Sequence, residues 1–214
     1  MHDIERIVLS IVPLLLAIIL HEISHGWVAE KLGDPTARML GRITLNPISH
    51  IDPIGTIILP GVLLLTGSHF IFGWAKPVPV NFANLRGGRR DMALVALSGP
   101  LTNLLLAVVS SIIFHLTFGG LGGSAGVWDR IVVPIHVMAN YSVLYNLVLM
   151  VINLLPILPL DGGRIVAGLA PEQIGIAMER IERYGMLIVL LLIASGIWSY
   201  VVTPIIYLFW RILM

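Results

Sequence analysis

His21, Glu22 and His25 stand in the stretch His21-Glu22-Ile23-Ser24-His25, at the end of an otherwise apolar run. Residues four apart share one face of a helix, so the two imidazoles can offer ring nitrogens to one metal ion with Glu22 beside it. This HExxH spacing is the one zinc hydrolases use. Zinc accepts neutral imidazole readily, and a catalytic site leaves a position for water next to three protein ligands. Bound zinc lowers the pKa of water towards about 7 and polarises a carbonyl, while a neighbouring carboxylate takes the proton. The stretch therefore supplies two ligands and a base, and lacks a third ligand. A helix-packing trio is the bland alternative, but charged groups in an apolar helix are expensive unless they have a function.

A carboxylate is the expected third ligand beside two histidines. Asp161 is the candidate, because Pro159 and Gly162 hold it on turning backbone and the orientation argued below puts it at a membrane depth close to that of His25. The competing reading makes Asp161 a cap for the segment that begins at Gly162, since Asp is a common cap.

The elements that must position these residues are membrane helices. Of 214 residues, 57% are hydrophobic and 12% charged, and the mean hydropathy is +0.94. A soluble domain carries about a quarter charged residues, so lipid is the solvent here. A net charge of +1 gives no reason to expect a nucleic-acid partner, and the absence of cysteine excludes disulfides and thiolate ligands. The N-terminal apolar run follows Asp3 and Glu5 and carries the HExxH, so it is expected to be a retained membrane helix rather than a cleaved signal.

The first helix is expected over residues 4–32, ended by Gly33-Asp34-Pro35, with further long apolar helices over 92–116 and 131–155. Residues 54–65 are apolar but short and interrupted by Pro60-Gly61, and read as a tilted span or a re-entrant segment. Residues 186–214, interrupted by Ser195-Gly196 and Pro204, form one bent span or two short ones. Residues 37–46 alternate partially and suggest a short strand or hairpin, and Pro77 and Pro79 make residues 76–80 extended. Those two stretches are either edges that pair with an unwound substrate backbone or ordinary connecting loops. The expected fold is thus an all-α polytopic membrane protein of five or six transmembrane segments with a short extended, β-like, membrane-associated segment. No loop is long enough for a further folded domain and no repeat is visible, so residues 1–214 are expected to form a single integral membrane domain.

Ten of the thirteen Lys and Arg residues fall on one side if the first helix runs inward, the second long helix returns and the third comes in again. They are Lys31, Arg38, Arg42, Lys76, Arg86, Arg89, Arg90, Arg164, Arg180 and Arg183. Both the HExxH and Asp161 then lie towards the cytoplasmic side of a cell (inner) membrane. Trp128, Trp198, Tyr200 and Trp210 are expected in an aromatic belt, and His2, His50, His69, His115 and His136 read as interfacial or packing residues.

Three stretches together resemble the site-2 proteases, a family of intramembrane zinc metalloproteases. They are His21-Glu22-Ile23-Ser24-His25, Ser98-Gly99-Pro100-Leu101-Thr102-Asn103, and Asn153-Leu154-Leu155-Pro156-Ile157-Leu158-Pro159-Leu160-Asp161-Gly162. The resemblance implies one zinc ion held by His21, His25 and Asp161, with Glu22 as the base. It also implies a transmembrane protein or peptide as substrate, cleaved in or near its membrane helix. Residues 72–81 resemble the corresponding part of compact prokaryotic members, and no PDZ-like or CBS-like domain is evident. Asn103 and Asn153 fall in the family's motifs, where such asparagines are thought to support substrate or transition state; the alternative is an interhelical hydrogen bond. The rival reading from another class is a metal transporter or metal-binding protein built on the same His/Asp site. Glu22 discriminates, because a transit site has no need of a base beside its ligands.

Overall fold

The computed structural model describes residues 3–67, 73–118 and 127–214, and every regular element among them is a helix. His2, His69, Phe72 and the glycine-rich loop 119–123 lie outside the described residues, as do the side chains of Trp128 and Trp198. In chain order the helices are α1 (Asp3–Leu32), α2 (Thr36–Met39), α3 (Leu59–Leu65), α4 (Arg89–Phe118), α5 (Val127–Asn153), α6 (Asp161–Leu169), α7 (Glu172–Ala194) and α8 (Ile197–Leu213), with 3-10 turns at Pro47–His50 and Phe82–Asn84 and a wide turn at Pro53–Ile58.

Among the described residues, three helices are long and apolar enough to cross a membrane: Glu5–Leu32, Arg89–Phe118 and Arg130–Asn153. A backbone in hydrocarbon must satisfy its own polar groups, which a continuous helix does. Their outer faces expose Ile7, Leu16, Leu105, Ile112 and Ile131, while the buried faces carry small residues. Ala17 and Ala29 of α1 and Ala93, Ala96 and Ala107 of α4 are all buried. Small side chains let helix backbones approach closely, which is the main route to helix association where lipid is as apolar as leucine. α4 occupies the centre and packs on α1, α5 and α6. One apolar cluster, with Val143, Leu147 and Val202, joins α4, α5 and α8; a second, with Ala29, Val95 and Ala167, joins α1, α4 and α6.

The expected count of five or six spans reduces, by length and composition, to three long apolar helices and shorter ones. α7 carries Glu172, Glu179, Arg180, Glu182 and Arg183 in its first half or so, and α8 has 17 residues, about 26 Å of helix. The C-terminal break falls at Ser195-Gly196, where Gly196 takes a left-handed φ of 73°, and Pro204 is absorbed within α8. Pro60 does not interrupt its segment either: it sits in the first turn of α3, where a missing N–H costs nothing.

The strand or hairpin expected at 37–46 is not formed. Asp34 accepts the backbone N–H and the hydroxyl of Thr36, which starts α2, and the chain leaves through Gly41 at a φ of 65°. The alternation misled because Met39 and Leu40 both point outward, at 78% and 63% exposure, so the apolar residues do not mark one buried face. Residues 76–80 are extended as the two prolines require, but they pair with no strand. Lys76 N–H donates to His50 O and Val78 N–H to Glu22, while Arg42 Nη2 donates to the carbonyls of Lys76 and Pro77. Several of the polar groups of this edge are therefore already engaged inside the protein.

Candidate metal centre

α1 carries His21 and His25 on the face that meets α4, and both rings are buried, at 6% and 8% exposure. Each ring is held through Nδ1. His25 Nδ1 lies 2.8 Å from Val95 O, a carbonyl that can only accept, so that nitrogen carries the hydrogen. His21 Nδ1 lies 2.6 Å from Asn103 Oδ1. With hydrogens on Nδ1, the two Nε2 atoms present lone pairs, and these face each other at 3.1 Å. Ser24 and Ser98, on facing helices, donate to His21 O at 2.6 Å and to Val95 O at 2.7 Å.

The turn after α5 brings in Asp161. Gly162 and Gly163 allow α6 to start against the backbone of Leu154, Leu155, Ile157 and Leu158, contacts that any side chain at either position would block. Asp161 is the first residue of α6, and its cap position is Leu160, with no side-chain cap bond, so the capping reading of Asp161 fails. Instead Oδ2 of Asp161 lies 3.1 Å from His21 Nε2 and 3.4 Å from His25 Nε2. That oxygen is buried and accepts no hydrogen bond.

With both histidines in that form, two imidazole lone pairs and a carboxylate oxygen converge on one point, an arrangement suited to a metal ion. Zinc ligands at about 2.0–2.1 Å in a tetrahedron are about 3.3 Å apart, close to the three separations found here. The same three residues are the group able to hold a metal ion among the described residues. Gly99 makes the room: a Cβ there would lie 2.5 Å from His21 Cε1 and from His25 Nε2.

The centre forms one wall of a cavity of about 440 Å³, whose other walls include Glu22, Trp74, Pro77, Val78, Asn153 and Met186. Glu22 Oε2 accepts the backbone N–H of Val78 at 2.7 Å, so the extended segment reaches across to the carboxylate. Gly26, one turn further along α1, leaves the space that Val78 and Ala37 occupy. Asn153 lines the cavity and donates back to Leu149 O, whereas Asn103 is wholly buried and directs its amide hydrogens to Asn146 and Ala17, away from the cavity.

The other histidines that are described have ordinary partners: His50 bonds Thr44 O, His115 bonds Ser111 O, and His136 meets Thr117 and stacks on Phe114. Tyr200 is 85% exposed, and Trp210 packs against the α5 and α8 cluster. Asn146 was not singled out by the sequence pattern. Its signal was available: it is a polar residue in an apolar helix, two turns before Asn153 and so on nearly the same face.

A buried triad able to hold a metal ion, with a further carboxylate beside it and membrane-length apolar helices around it, fits the class of membrane metallohydrolases. Comparison with known proteins narrows the class. The family model described as peptidase family M50 matches residues 128–196. The chain is 36% identical over 205 residues to "Putative zinc metalloprotease YwhC" of Bacillus subtilis, covering 91% of this chain and 84% of that one. It is 29% identical over 193 residues to "Putative zinc metalloprotease Rip2" of Mycolicibacterium smegmatis, covering 88% and 67%, and 31% identical over 159 residues to the Mycobacterium tuberculosis protein of the same name, covering 72% and 54%. No solved structure matches. The chain belongs to peptidase family M50, the site-2 protease family of zinc metalloproteases. It is therefore a hydrolase, and the metal-transport reading falls away.

Proposed function

We propose that the protein cleaves peptide bonds in or near the transmembrane segments of membrane-protein substrates, with His21, His25 and Asp161 as ligands of one zinc ion and Glu22 as general base. The observation that carries this reading is the convergence of His21 Nε2, His25 Nε2 and the unpartnered Asp161 Oδ2 on the wall of a cavity that Glu22 shares. Zinc held there would supply a Lewis acid and make water acidic enough to lose a proton near neutral pH.

The chain's own residues account for the rest. Glu22, oriented by the Val78 N–H, takes the proton from the attacking water and returns it to the leaving amine. Asn153, on the cavity wall, can donate to the oxyanion that develops on the scissile carbonyl. Trp74, Pro77 and Val78 line the cavity with apolar surface beside Glu22. A helical substrate hides its carbonyls in its own hydrogen bonds, so it must unwind before one can enter. The bilayer is a partner throughout. α8 adds a crossing alongside α5, and Pro53–Leu65 enters the membrane and returns, giving five segments with the catalytic side facing the cytoplasm of a cell membrane.

The test uses purified protein, a panel of tagged transmembrane peptides and a chelator control. Glu22→Gln keeps the shape and an acceptor for Val78 N–H, so it should bind one zinc ion yet lose at least about a hundredfold in cleavage rate. Cleavage within about tenfold of wild type removes Glu22 from the role.

A further inference from the structure

The rings of His21 and His25 are fixed differently. His25 leans on a backbone carbonyl, which cannot turn round, whereas His21 leans on the side-chain amide of Asn103, which can. An amide turned by 180° would set an N–H₂ group against His21 Nδ1. His21 would then carry its hydrogen on Nε2, aimed at Asp161 Oδ2 only 3.1 Å away. That bond would satisfy the carboxylate without any metal and remove a ligand lone pair. Something must hold Asn103 the other way.

We propose that Asn146 does so, and that it is a positioning residue of the metal site acting through Asn103. The inference rests on the zinc assignment made above. The polarity can be followed from an atom that admits no ambiguity. Ser142 O is a carbonyl and can only accept, and it lies 2.8 Å from the amide nitrogen of Asn146, which also donates to Ser142 Oγ at 3.1 Å. Asn146 therefore presents its oxygen towards α4, where it accepts from Asn103 Nδ2 at 2.8 Å. The second hydrogen of that nitrogen points to Ala17 O at 3.3 Å, another group that only accepts. Asn103 Oδ1 is left facing His21 Nδ1, which must donate, and Nε2 keeps its lone pair for the metal.

Both asparagines are buried, at 0% and 1% exposure, so bulk water offers neither an alternative partner. A flipped Asn103 would turn its oxygen towards two acceptors, Asn146 Oδ1 and Ala17 O. A backbone carbonyl on α5 thus selects, through two amides, the ring form of a histidine on α1. Partners that orient metal-bound histidines typically contribute about ten- to a hundredfold to metal affinity.

The experiment measures zinc affinity of the purified full chain in detergent by competition with a chromophoric chelator, and the ring form of His21 in metal-free protein by nitrogen NMR of labelled histidine. Asn146→Ala should bind zinc about ten- to a hundredfold more weakly and shift His21 towards the Nε2–H form. In an Asn103→Ala background, which removes the intervening amide, adding Asn146→Ala should weaken zinc binding no further, because Asn146 then has nothing to act through. If Asn146→Ala does not fold, Asn146→Leu carries the test: it fills the space without offering an acceptor, and should show the same loss of affinity and the same shift of ring form. The relay is overturned by wild-type affinity and ring form in Asn146→Ala or Asn146→Leu, or by a further loss of affinity when Asn146→Ala is added to Asn103→Ala. A wild-type chain that binds no zinc would instead refute the metal assignment itself, so the two failures are distinguishable.

Discussion

At the scale of single residues, the centre depends on an absent side chain as much as on the present ones. A methyl group on Gly99 would press on both histidine rings at once. Neither ring can retreat, because Val95 O holds one and Asn103 the other at short hydrogen-bond distances. Gly99→Ala should therefore fold but lose at least about tenfold in zinc affinity, measured by chelator competition; full occupancy at wild-type affinity would show that the rings can shift. The sequence singled out His21, Glu22, His25 and Asp161, which the fold brings together at one cavity, because their chemistry shows in residue type and spacing. Gly99 appeared only as part of a motif, since its role is a distance across two helices, which a linear pattern does not contain. For Asn103 the sequence left two readings open, and the hydrogen bonds to His21 and Asn146 favour the interhelical one.

At the scale of elements, Asp34 ties the end of α1 to the segment that covers the site. It is fully buried and accepts from the Thr36 backbone and hydroxyl, from Asn84 Nδ2 at 2.8 Å, and from Asn81 N–H at 2.7 Å. Burial alone would raise its pKa, but the hydrogen bonds from Thr36, Asn84 and Asn81 outweigh it and hold the carboxyl below the usual value. A lowered folded-state pKa means that the stabilisation is complete above the ordinary carboxylate range and is lost as pH falls through the lowered value. Asp34→Ala, which strands these donors, should cost on the order of 3 kcal/mol and flatten the acid side of the stability profile. Thermal unfolding in detergent at a series of pH values checks this; an unchanged profile would mean that Asp34 is not the clamp. Sequence reading took Asp34 only as part of a helix stop. Its partners lie 47 and 50 residues away, and the competing strand at 37–46 was suggested by an alternation that outward-facing Met39 and Leu40 happen to mimic.

For the whole molecule, hydropathy located the three long helices closely, because twenty or more apolar residues leave few alternatives. The C-terminal third was less legible. In α7 a charged first half adjoins an apolar second half, and α8 is short, so where these helices rest depends on packing against α5 and α6 more than on composition. Orientation is testable directly, since the chain has no native thiol. Ala83→Cys places an exposed thiol among the basic residues between α3 and α4. It should react with a membrane-impermeant maleimide in inside-out vesicles and not in intact cells. Labelling of intact cells would reverse the assigned direction of all three long helices.

For inhibitor chemistry, the bond from Val78 to Glu22 sets a requirement that metal chelation does not. Pro77 and Pro79 have no N–H, so Val78 is the one backbone donor in that tripeptide, and it is already directed at the Glu22 carboxylate. A compound that only chelates would suit any hydrolase with two histidines and a carboxylate. One that also offers an N–H to Glu22 and an apolar arm along Trp74 and Val80 would compete with a contact the enzyme makes to itself, and selectivity would reside in displacing that segment.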